Sequence, residues 1–196
     1  MIGPPVDPDY PVLQHTSDPF IFVSMNDAHL RYPIGTFKTP DSIQPADLAR
    51  WIATIADFPR ALRKLVSPLT EQQLDTAYRI GGWTVRQVVH HCADSHLNAY
   101  VRFKLALTED NPVIKPYEEA RWAELPDSRL PIGASLSLLD GLHERWSMLL
   151  SGLDGTQLQR TYTHPEHGKA FPLDEAIGMY AWHCAHHLAH VRLVTG

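Results

Sequence analysis

Four histidines fall within eight residues of one stretch of this 196-residue chain: His183, His186, His187 and His190. On a helix, residues three and four apart share a face, so His183, His187 and His190 form one arc, continued by Ala176, Met179, Tyr180 and Val194. Imidazoles on an otherwise apolar stripe are costly to bury without hydrogen bonds or an ion, and a divalent transition metal meets that need for several of them at once. Spacing of i and i+4 lets two rings reach one ion. Both His183 with His187 and His186 with His190 have it, and the first pair lies nearer the centre of the stripe.

A second cluster, His90-His91-Cys92-Ala93-Asp94-Ser95-His96, offers further ligands. On a helix His96 joins the apolar face of Val85, Val88, Val89, Cys92 and Phe103, as a ligand or as a hydrogen-bonded core histidine. His91 stands on a polar stripe with Gln87, Ser95, Asn98 and Arg102, which is either a solvent face or the wall of an internal pocket. His90 points away from both faces and reads as a solvated histidine. Periodicity does not choose between His91 and His96. A three-imidazole site leaves the ion its full charge and an open position, the arrangement of a catalytic centre. Water held there is acidified for hydrolysis, whereas a thiol would be held as thiolate and attack an electrophile. Asp94, His96, His143 and His190 are candidates to orient the ligating rings, since such rings donate their other N–H. Arg102 is a candidate to meet an anionic substrate.

These residues need long helices to carry them. Leu48, Trp51, Ile52, Ile55, Leu62 and Leu65 recur at helical spacing from Pro45, with Pro59 expected to kink or interrupt the run. Thr70 and Gln73 have capping-box spacing, and Thr84 with Gln87 opens a second long helix, about 84 to 108. Leu97, Val101 and Leu105 on its far side suggest cover on more than one face. Four prolines punctuate residues 109 to 133 around a short helix near 118 to 125, a connection of the length seen in crossovers and lids. A third helix follows Gly133 with Leu139, Leu142, His143, Trp146, Leu150 and Leu153. The turn Glu166-His167-Gly168 predicts a small β-hairpin near 162–172, and the histidine helix runs over about 173 to 194. Together these predict an all-α protein, a four-helix bundle.

Residues 1–31 are expected to form a proline-rich, extended N-terminal arm, and 32–196 one domain. Residues 1 to 41 hold seven of the sixteen prolines, and Met25 is a second candidate start. A formal charge of −5 and a sequence pI near 6.1 give no basic footprint for nucleic acid. No signal-peptide pattern or membrane-length apolar run is read, which predicts a cytoplasmic protein that does not engage a membrane. Cys92 and Cys184, the only cysteines, read as reduced core residues rather than ligands.

Several stretches resemble one family. They are Gly81-Gly82-Trp83-Thr84-Val85-Arg86-Gln87-Val88-Val89-His90-His91, then Ala93-Asp94-Ser95-His96 and Arg102-Phe103-Lys104-Leu105. Tyr180-Ala181-Trp182-His183 and His186-His187-Leu188-Ala189-His190 complete the set, with Tyr32-Pro33-Ile34-Gly35 and Leu142-His143-Glu144-Arg145-Trp146 in support. Over about residues 32 to 194 the chain resembles the YfiT family of metal-dependent hydrolases in the DinB-like superfamily. The resemblance implies a DinB/YfiT-like bundle whose metal-binding histidines are His91, His183 and His187, holding one divalent ion per chain, zinc or nickel. It implies hydrolysis of a small-molecule substrate, with a bacillithiol-type thiol S-transferase using a low-molecular-weight thiol as the alternative, and a non-catalytic metal-binding module as a third. A homodimer is expected from the same likeness and from the Leu97, Val101 and Leu105 stripe.

Overall fold

The long helices begin where the sequence supplies a start signal. Thr84 accepts the Gln87 backbone N–H while the Gln87 side chain accepts the Thr84 N–H, the reciprocal cap anticipated from their spacing. Pro45 opens another helix, at a position where its missing N–H is no loss. Asp174 and Glu175 place negative charge in the first turn of the histidine helix, favourable to its dipole.

In a computed structural model, residues 28–196 are described. In chain order the elements are α1 (Ala28–Arg31), α2 (Pro45–Val66), α3 (Glu71–Leu74), α4 (Val85–Thr108), α5 (Glu119–Trp122) and, after a 3-10 turn at Pro126–Arg129, α6 (Gly133–Ser151). There follow α7 (Gly155–Leu158), β1 (Thr161–His164), β2 (Lys169–Pro172) and α8 (Leu173–Thr195). Among the described residues, no helix is long and apolar enough to cross a membrane. The extended arm anticipated over residues 1–31, with Met25, lies through residue 27 outside the described residues; residues 28–31 form α1.

The four long helices form the bundle. α2 packs on α6 and α8, and α4 packs on the same two, so the successive long helices α2 and α4 stand on a diagonal rather than side by side. Ile55, Phe58 and Leu62 of α2 meet Val89, Cys92 and Phe103 of α4, Leu139 and Trp146 of α6, and Ile177 and Cys184 of α8 in one core. Gly178 lets α8 approach closely: a Cβ there would stand 2.9 Å from the Trp51 ring. The outer stripe of α4 stays largely uncovered, with Leu97 42% and Val101 47% exposed.

Pro59 does not interrupt α2, which runs unbroken from Pro45 to Val66. Having no N–H, Pro59 leaves the carbonyl of Ile55, four residues earlier, without its helical partner. The His143 Nδ1–H of α6 donates to that carbonyl at 2.6 Å. An acceptor freed by the proline is therefore used across the bundle.

The hairpin forms where the turn residues predict it. β1 pairs antiparallel with β2, from Thr161 opposite Pro172 to His164 opposite Lys169. Gly168 in the turn adopts φ 56°, a left-handed conformation suited to glycine. The connection after α4 lies along this hairpin: Thr163 N–H donates to Pro112 O at 2.9 Å, and Ile114 N–H to Thr163 O at 3.0 Å. The crossover and the hairpin thus become one cover over the end of α4 and the start of α8.

Candidate metal centre

α4 and α8 face each other across the bundle, and their polar residues meet there. His91 Nε2 lies 3.3 Å from His183 Nε2, and His187 Nε2 lies 3.1 Å from the same atom. His91 and His187 are buried, while His183 keeps part of its ring on an adjoining cleft. Two nitrogens bound tetrahedrally at about 2.0–2.1 Å to one ion stand roughly 3.3–3.4 Å apart, close to these separations. His186, His187 and His190 form a second, overlapping group near enough to hold an ion.

The hydrogen-bond network assigns the protons. Ile55 O can only accept, so His143 carries its proton on Nδ1. Burial pushes the His143 pKa down to about 4, although its bond to Ile55 opposes this, so the ring is neutral and its Nε2 accepts. His96 Nδ1–H donates to it at 2.8 Å. Burial, followed by the neighbouring histidines, holds His96 and His183 well below the usual imidazole range. His96 Nε2 then accepts the Nδ1–H of His183 at 3.0 Å. His183 is left with a bare lone pair on Nε2.

A shorter chain acts on His187. His190 Nε2–H donates to the Arg31 carbonyl at 3.0 Å, and its Nδ1 faces His187 Nδ1 at 3.4 Å. With its proton on Nε2, His190 accepts there through Nδ1, which places the His187 proton on Nδ1 and its lone pair on Nε2. Burial, then His183, pushes the His187 pKa well down. Two lone pairs thus face each other at 3.1 Å with no proton to share, an arrangement that a cation resolves. The donor set therefore fits a divalent ion. The overlapping group fits less well, because Nδ1 of His187 and both nitrogens of His190 are already engaged.

Of the candidates to orient the ligating rings, His96, His143 and His190 enter these chains. Asp94 enters neither; burial, then Asp127, raises its pKa to about 6, and it contributes no hydrogen bond to a histidine. His90 is not solvated as its helical position suggests: it is buried, with Nδ1 2.8 Å from Ser135 Oγ and Nε2–H donating to Leu130 O at 3.0 Å. The end of the 109–133 connection and the start of α6 cover that face. Cys92 and Cys184 are fully buried, and desolvation raises both thiol pKa values.

A cavity of about 140 Å³ opens beside the three nitrogens. His91, Ser95 and Arg102 of the polar stripe line it, but Gln87 and Asn98 do not. Gln87 is engaged in its cap and donates to Ala123 O at 3.0 Å, and Asn98 donates to Asp94 O at 2.9 Å. Tyr117, Tyr162, His164, His167 and Tyr180 complete the inner wall. Helical periodicity did not expose Tyr117, Tyr162, His164 and His167, which come from the crossover and the hairpin. The pair His164 and His167, three apart around a turn, was the available signal. His186 also lines the cavity, 3% exposed, with Nδ1 unpartnered and its ring stacked 4.5 Å from Trp182.

The chain is similar to a family model, to several named proteins and to a solved structure. Residues 45–191 match the model of the DinB superfamily. A protein of Bacillus mycoides (strain KBAB4), provisionally named a metal-dependent hydrolase, is 55% identical over 162 residues, 83% of this chain and 93% of that protein. One of Bacillus cereus (strain B4264) with the same provisional name is 56% identical over 167 residues, 85% of this chain and 95% of that protein. Among solved structures, YfiT from Bacillus subtilis, described as a probable metal-dependent hydrolase with an unusual four-helix bundle topology, superposes with a TM-score of 0.83 at 47% identity. That match covers 85% of this chain and 96% of YfiT.

Proposed function

Because this chain belongs to the DinB superfamily, as a relative of YfiT, we propose that it is a metal-dependent hydrolase in which His91, His183 and His187 hold one divalent ion. One observation carries the reading: the Nε2 atoms of His187 and His91 stand 3.1 and 3.3 Å from His183 Nε2, where the proton assignment gives His183 and His187 lone pairs. Three neutral imidazoles suit zinc or nickel. When bound, such an ion supplies Lewis acidity, acidifying water and polarising a carbonyl.

The chain's own residues supply the rest. His96 and His190 fix the rings of His183 and His187 by accepting their Nδ1–H groups, so both present Nε2 without reorganisation. Tyr180, Trp182, Phe171 and Met179 make much of the cavity wall apolar and restrict water around a bound substrate. Neither cysteine lines the cavity, so the protein supplies no thiol of its own to the reaction.

Elemental analysis of purified protein, with ester and amide hydrolysis measured before and after chelation, tests the proposal. About one zinc or nickel ion per chain and chelator-sensitive hydrolysis that needs no added thiol are expected. Metal-loaded protein that hydrolyses nothing but conjugates a low-molecular-weight thiol would overturn it in favour of thiol transfer.

A further inference from the structure

Arg102 is half-buried in the cavity wall, with no ion-pair partner among the described residues. The other largely buried arginine of α4, Arg86, is paired: Nε donates to Asp75 at 2.7 Å and Nη2 to Glu71 at 2.5 Å. Arg102 has a single hydrogen bond, from Nη1 to Tyr180 Oη at 3.2 Å. Tyr162 and Tyr117 also lie near it, but phenols are neutral near pH 7 and leave its charge uncompensated. His164 and His167 stand close by, both with depressed pKa values, burial being the main cause and Arg102 a contributor. Among the described residues, the one carboxylate lining the cavity is Glu119.

A guanidinium taken partly out of water without a counter-ion is unfavourable unless an anion completes it. One hydrogen bond to Tyr180 leaves most of its planar fork of donors available, the geometry that matches a carboxylate. A single cation in a cavity that Glu119 also lines, in a chain of net charge −5, suits one negative charge better than the two of a phosphate. Position sets the spacing. His91 and Arg102 are eleven residues apart on α4, about 16 Å along its axis, and an arginine on a helix leans back towards the N-terminus. That places the guanidinium on the order of 10 Å from the histidine nitrogens.

We infer that Arg102 and Tyr180 form an anion subsite, and that the substrate of this protein is a small monoanion whose carboxylate sits there while its hydrolysable bond lies at the three histidines. The inference rests on the hydrolase reading and names the class of substrate. Tyr162, Phe171 and Tyr117 line the same cavity and accommodate an apolar or aromatic body.

Calorimetric binding of 3-phenylpropionate and of its neutral analogue 3-phenylpropanamide to metal-loaded protein tests this without requiring turnover. The acid is expected to bind at least tenfold more tightly than the amide. Arg102→Gln should abolish that preference, Arg102→Lys should retain part of it, and Tyr180→Phe should weaken it a few-fold. An equal affinity for acid and amide in the wild type overturns the inference. So does a preference that survives in Arg102→Gln, since the carboxylate would then be held elsewhere, at the ion included. Were Arg102→Gln to fold poorly, Arg102→Lys and Tyr180→Phe carry the test. Acid preference without any hydrolysis would remove the hydrolase reading and leave the subsite, whereas hydrolysis without acid preference would do the reverse.

Discussion

His143→Phe should weaken metal binding from two rings away. Phe fills a similar space beside Phe58 and Trp146, whose ring centroids lie 5.5 and 5.6 Å from the imidazole. It removes the donor to Ile55 O, a loss common to loaded and metal-free protein, and the acceptor for His96 Nδ1–H, a loss that is not. In the metal-free variant His96 can move its proton to Nε2, and His183 can move its own to Nε2 and donate to His187, at little cost. In the loaded variant His183 must keep Nε2 bare and donate from Nδ1 to His96, whose own Nδ1–H is then buried without a partner. An unsatisfied buried donor costs about 1–3 kcal/mol, equivalent to roughly a 5- to 150-fold loss of affinity. Competition with a chromophoric chelator measures it, alongside Ser147→Ala as a control that touches only the backbone carbonyls of His143 and Glu144. A His143→Phe affinity within twofold of wild type, in protein with an unchanged circular dichroism spectrum, would refute the proton assignment.

His187→Ala should lose most of its bound metal by elemental analysis, whereas His90→Ala should keep it and lose about 1–3 kcal/mol of stability in urea unfolding, because Leu130 O and Ser135 lose a buried partner. Burial foremost pushes His143 down to about 4 and His186 to about 3, so below pH 6.5 the unfolded chain takes up protons that the native chain refuses. The stability these rings contribute is present above pH 6.5 and lost as pH falls through about 4 and then 3. Melting temperatures of metal-free protein should drop across that window, less steeply in His143→Phe. Cys92 and Cys184 should resist a thiol-specific reagent in the native chain and both react in denaturant; stoichiometric labelling of native protein would contradict their burial.

Much of the architecture is readable in the spacing of residues. The four long helices follow from their apolar periods, the start of α4 from Thr84 and Gln87, and the hairpin from its turn. His183 and His187 are also legible, because two ligands on one helix need only its pitch. His91 is less so. α4 is covered on most of its circumference, so His91, Ser95 and Arg102 of its polar stripe face inward and His90 is enclosed as well, which the period of one helix cannot distinguish from a solvent face. The chain from His96 through His143 to Ile55 joins residues 47 and 88 positions apart. Only the diagonal placement of α2 and α4, with α6 between them, brings these together. Pro59 was legible as a helix defect but not in its use, since that depends on which side chain of α6 lies opposite.

A designer who moved this site into an idealised bundle would begin by copying three imidazoles and would stop too early. Regular helices satisfy their own carbonyls, so an ideal scaffold turns no main-chain acceptor inward at mid-length, and a histidine ladder built in it would have no fixed end. Either proton pattern along the ladder would then be accessible, and half of the molecules would present N–H where a lone pair is required. The blemish that a design protocol removes first, a proline in the middle of α2, is the part that gives the ladder its direction.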